Sequence, residues 1–130
     1  MKSTIKIGTT GEERFVVSAQ HTIDFASGGM PEILSTPSLV AVLERTARMA
    51  IFPSLETDES SVGVDIKIQH IAPTPLDKEV LCRARVYSVE KNLISFQIEA
   101  FDELEQIAKG THKRRVVKTS RLAKRVDAKR

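Results

Sequence analysis

Between Thr36 and Phe52 the chain is apolar almost all the way round a helix. Leu39, Val40, Val42, Leu43, Ala47, Met49, Ala50 and Ile51 leave little room for a wide polar face, so such a helix must be largely buried. Thr36-Pro37 marks its start. Threonine at the N-cap can accept a bond from a free backbone N–H, and proline suits the first helical position because its missing N–H costs nothing there. Pro53 sets the end near Phe52. Arg45 and Arg48, three apart, take the exposed stripe that remains.

The flanking segments supply the surface that buries it. Residues 13–20 predict a strand with Phe15, Val17 and Ala19 on one face. Residues 24–35, with Gly28, Gly29 and Pro31, predict a loop or short lid. From Ser60 to His70 the alternation is clean: Val62, Val64, Ile66, Ile68 and His70 share one parity. In the absence of a bulge, His70 projects on the apolar face where the strand leaves the core. Residues 79–90 place Val80, Cys82, Ala84 and Val86 inward, and residues 93–101 do the same with Ile94, Phe96, Ile98 and Ala100. Lys91-Asn92 predicts a tight hairpin between them. A last strand from about Glu105 to Val117 sets Ala108, Gly110, His112, Arg114 and Val116 on one face. The expected class is α+β: one domain, an antiparallel five-stranded sheet wrapped around one long buried helix. One helix cannot cover five strands, so a homodimer or a dimer of dimers is expected to bury the remainder.

Composition narrows the function. A chain of 130 residues makes one domain with a modest core. No apolar run approaches the roughly 20 residues of a membrane helix, and the N-terminus lacks a secretory apolar segment. A single cysteine, Cys82, excludes an intrachain disulfide, and a cytoplasmic setting is expected. Its alternation with apolar neighbours marks it as a buried structural thiol. The net charge is +3, yet residues 118–130 hold six basic residues and one acidic, leaving −2 on residues 1–117. The folded domain is therefore expected to span 1–117, with 118–130 an exposed basic tail, and no nucleic-acid partner is expected.

The chemistry-bearing residues fall at the ends of elements that should pack together. Glu44 sits eight residues after Thr36, about two helical turns, amid apolar neighbours. A carboxylate is rarely buried without a partner. Two readings stand: a functional group, or an ion pair with Arg48 at i+4. His70 and Thr36 each have a plain structural role available, strand end and helix cap. Their coincidence with Glu44 and with the positive end of a helix dipole favours stabilising a developing oxyanion. Gly63 either admits close approach of a ligand or marks a bulge. His21, His70 and His112 lack metal-ligand spacing, so neither metal nor cofactor is expected. Phe25, Met30, Leu34 and Phe52 are candidates for an acyl pocket, with ordinary core packing as the alternative.

Ser35-Thr36-Pro37 followed by Glu44, then Val62-Gly63-Val64 and His70, then Gly110-Thr111-His112-Lys113-Arg114 resembles the hotdog-fold thioesterases, in particular the fluoroacetyl-CoA thioesterase-like branch. The resemblance spans roughly residues 10–117. It implies a hotdog fold, a dimer with sites at the subunit interface, and Thr36, Glu44 and His70 as the catalytic set. It also implies that Gly63 lies near the thioester and that Arg114 helps to bind the substrate, an acyl-CoA. The fluoroacetyl-selective enzyme carries aromatic residues in a lid before the threonine, whereas residues 26–34 here contain none. The expectation is therefore hydrolysis of a small or medium acyl thioester without that selectivity. The alternative is a non-enzymatic hotdog domain that binds acyl-CoA as sensor or carrier, with Glu44 neutralised by Arg48.

Overall fold

A computed structural model of the chain describes residues 1–2, 4–23 and 28–130. Strand β1 (Thr10–Val16) precedes the long helix α1 (Thr36–Ile51). Strands β2 (Glu59–His70), β3 (Glu79–Glu90), β4 (Leu93–Phe101) and β5 (Gln106–Lys118) follow, and the short helix α2 (Thr119–Asp127) comes last. The five strands form one antiparallel sheet in the order β1-β3-β4-β5-β2. The alternating residues of β3, β4 and β5 account for the core: Val80, Cys82, Ala84, Ile94, Phe96, Ile98, Ala100 and Ala108 are wholly buried. Leu39, Leu43, Ala47 and Ile51 of α1 are wholly buried with them, in one continuous cluster. Each large apolar side chain removed from water in this way contributes about 1.5–3 kcal/mol. The sheet wrapped around one buried helix is the α+β architecture expected, and Lys91, at φ +57°, turns the β3–β4 hairpin.

Three expectations need correction. The first strand runs over 10–16 rather than 13–20. Beyond Val16 a short turn at Ala19–His21 takes over, held by the Ser18 N–H donating to His21 Nδ1, and Ala19 is exposed there instead of sharing the inward face of Phe15 and Val17. The second concerns β2, whose register against β5 shifts between Gly63 and Asp65. That bulge reverses the parity. Ser61 is buried and Val64 is 48% exposed, while Ile66, Ile68 and His70 keep the inward side. Val62 and Val64 therefore do not share the face of Ile66, a slip that a single unpaired residue always produces. The third is the helix cap, taken up with the site below.

The predicted lid falls partly on residues 24–27, Phe25 included, which lie outside the described residues. Within the described part, Gly28 and Gly29 form a turn at positive φ, and single bridges join Thr22 to Leu34 and Ile33 to Pro75. Among the described residues no helix is long and apolar enough to cross a membrane. Residues beyond Lys118 form α2, whose Arg121, Lys124 and Arg125 are exposed.

Candidate active site

Ser35, not Thr36, caps α1. Its backbone is extended and its Oγ accepts from the Ser38 N–H at 3.2 Å. Thr36 is the first helical residue, and its hydroxyl, released from capping, lies 2.8 Å from His70 Nδ1 at the end of β2. The one-residue difference matters chemically: a capping threonine would have spent its oxygen on the helix backbone. The first-turn amides are nearly all spent as well. Pro37 has none, Ser38 donates to Ser35 Oγ and Leu39 donates to the Ser35 carbonyl. Among the described residues, the Thr36 N–H is the first-turn amide left without a partner, at the positive end of the helix dipole. Burial pushes the His70 pKa below its ordinary 6.5, which keeps the ring neutral at neutral pH. Its Nε2 is buried and has no partner among the described residues. A cleft of about 320 Å³ opens beside the pair, walled by Ile23, Ile33, Leu34, Ile71, Ala72 and Pro73.

Glu44 belongs to a second constellation. Two turns along α1, its Oε2 lies 4.0 Å from Nη1 of Arg114, and its side chain is 40% exposed. The alternative pair with Arg48 does not form among the described residues. Arg114 is buried and held by β2 and β5: Nε donates to Ser61 Oγ and Nη2 to the Ser61 carbonyl, both at 2.9 Å, and Nη1 to His112 Nε2 at 3.2 Å. Its burial lowers the guanidinium pKa, and Glu44 partly offsets this. Gly63 sits under the group. A methyl added there would come within 3.2 Å of Glu44 Oε2 and 3.3 Å of His112 Cε1, which accounts for glycine at this position. Ala41, Arg45, Arg48 and Arg114 join Glu44 around a shallow depression of about 270 Å³.

The structure thus brings Thr36 to His70, and Glu44 to Gly63 and Arg114, but leaves the two groups apart within one chain. Eight residues of α1 span about 12 Å. Seven of β2 span about 23 Å between Gly63 and His70. Sequence reasoning assigned no role to Ser61 or to the buried ring of His112. The signal was present: two basic residues, His112 and Arg114, on the inward face of a strand demand polar partners. Among the described residues no group of three or more His, Cys, Asp or Glu side chains could hold a metal ion.

Comparison with known proteins follows from this geometry. Residues 17–120 match the model of a family described as fluoroacetyl-CoA-specific thioesterase. Fluoroacetyl-CoA thioesterase of Streptantibioticus cattleyicolor is 31% identical over 137 aligned positions, covering 99% of this chain and 97% of that protein. A solved structure of the fluoroacetyl-CoA thioesterase FlK superposes with a TM-score of 0.90 at 29% identity, covering 98% of this chain and 99% of that one. A variant of FlK in complex with fluoroacetate and CoA superposes at 0.83 with 30% identity, covering 91% and 99%.

Proposed function

Since the chain belongs to the fluoroacetyl-CoA-specific thioesterase family of hotdog hydrolases and is a thioester hydrolase, we propose that it cleaves small or medium acyl-CoA thioesters at sites shared between two copies. The observation that carries this reading is the split of the catalytic set. Thr36 with His70 and Glu44 with Gly63 lie too far apart for one thioester carbonyl to meet both within a chain. β2 is a twelve-residue edge strand, and its outer edge is unpaired among the described residues. Antiparallel pairing of two β2 edges about a two-fold axis near residues 66–67 would set Gly63 of one copy against His70 of the other. Each Glu44 would then face the Thr36–His70 pair of its neighbour.

In this arrangement the acyl chain occupies the aliphatic cleft beside His70. The carbonyl oxygen meets the Thr36 N–H and the positive end of α1, which stabilise the oxyanion as it forms. Glu44 supplies the carboxylate that activates attack on the carbonyl carbon, with the Arg114 guanidinium standing off at 4.0 Å. Neutral His70, bonded to Thr36, takes up a proton released from water and passes it to the departing CoA thiolate. Hydrolysis balances as thioester plus water to carboxylic acid plus thiol. Arg48 on the rim of the Glu44 depression offers positive charge to the phosphates of CoA. No cofactor is required.

The rival reading as a silent acyl-CoA sensor has Glu44 neutralised by Arg48, a contact not found among the described residues, where Glu44 instead lies 4.0 Å from Arg114. The test is thiol release from a panel of acyl-CoAs running from acetyl to long-chain, with Glu44→Gln alongside. The expected result is turnover on short or medium chains that collapses in the variant. Undiminished turnover in Glu44→Gln would remove Glu44 from the mechanism, and binding without release across the panel would overturn the substrate class.

A further inference from the structure

Among the described residues, His112 is a buried titratable side chain near Glu44 that the mechanism above does not use. It is 1% exposed, stacked on Phe96 with ring centroids 6.0 Å apart, and its Nδ1 lies 2.8 Å from the Asp65 carbonyl. A carbonyl only accepts, so Nδ1 carries the proton and Nε2 presents a lone pair. That lone pair takes the Nη1–H of Arg114 at 3.2 Å. The bulge in β2 follows directly after Gly63, so the shift of register brings the Asp65 carbonyl to this ring.

An arginine beside a half-buried carboxylate ordinarily closes on it at about 2.7–2.9 Å, often through two bonds. Here the gap is 4.0 Å. The guanidinium is planar and rigid, and Ser61 holds its Nε and Nη2 while His112 holds Nη1. We propose that His112 is a positioning residue that restrains Arg114 from closing on Glu44, leaving the carboxylate oxygen free to act on the substrate. The inference rests on the reading of Glu44 as the catalytic carboxylate. A closed pair would occupy the lone pairs that attack or activation requires and would weaken the carboxylate as a base.

The test compares His112→Leu with His112→Gln, whose amide can reproduce both hydrogen bonds, and repeats His112→Leu in an Arg114→Gln background. The Leu variant is expected to lose about tenfold or more in kcat with KM little changed, and the Gln variant to recover most of it. In the Arg114→Gln background the Leu substitution should have little further effect, because the cation it releases is gone. A crystal structure of His112→Leu should show Nη1 within about 3 Å of Glu44. Unchanged kcat in the Leu variant, or equal losses with and without Arg114, would overturn the proposal. Nitrogen NMR of the native protein provides a check that needs no variant: an imidazolium, or a proton on Nε2 of His112 at pH 7, would also overturn it. Full activity in Glu44→Gln would instead strike down the reading of Glu44, a separate outcome.

Discussion

His70 joins a neutral ring, a short contact to Thr36 and a depressed pKa, and each has a measurable consequence. Because burial lowers its pKa below 6.5, the acid limb of the kcat/KM profile is expected to have its midpoint below that value. A midpoint above 6.5 would contradict a neutral ring held by burial. His112 is lowered for the same first reason, with the Arg114 charge adding to it. Both depressed values stabilise the fold fully above the unfolded pKa and lose that contribution as pH falls through the folded values. Urea midpoints should therefore be level above about pH 7 and decline below about 6.5, less steeply in His112→Gln. A flat profile down to pH 5 would refute this. Gly63→Ala is a sharper steric probe. Its new methyl meets Glu44 and His112, so turnover should fall at least about tenfold while thermal stability changes little. Thiol titration offers a simple control, since burial pushes Cys82 up to about 12 and native protein should not react until unfolded.

Elements differ in how plainly their residues announce them. The alternation of β3, β4 and β5 placed Val80, Cys82, Ala84, Val86, Ile94, Phe96, Ile98, Ala100, Ala108 and Val116 on their observed buried face, because burial on one side imposes a period of two. It missed Ile107, which is buried from the opposite parity. The β2 bulge had a weaker signal, Gly63, for which a bulge is one of two readings. Val62, Val64 and Ile66 keep perfect apolar alternation, yet one unpaired residue turns the first two to the other side. It lies where β2 passes close to Arg114, His112 and Glu44, neighbours that no pattern within the strand encodes. The α1 cap was legible to within one residue, since adjacent serine and threonine can both cap and the backbone geometry settles on Ser35. Ser35→Ala should cost about 1 kcal/mol in a denaturant titration. It should also reduce kcat, because the first turn that carries Thr36 then frays. Loss of stability with kcat unchanged would separate the cap from the site.

At the scale of the molecule, the side chains proposed as catalytic could be named from the chain while their arrangement could not. Thr36, Glu44 and His70 are chemically complementary, and spacing put Thr36 and His70 at element ends and Glu44 two turns along α1. Their division into two groups depends on the angle at which α1 crosses β2, which no local pattern encodes. That division is the strongest physical reason to place two copies at one site, and it makes a prediction that a single-chain site cannot share. Thr36→Ala and Glu44→Gln should each be severely impaired alone. Unfolded together and refolded as a mixture, they should form mixed dimers in which one site holds both substitutions and the other holds neither. The account predicts recovery to about a quarter of wild-type turnover for random pairing of equal amounts. A mixture no more active than its two components would contradict a site built from two chains.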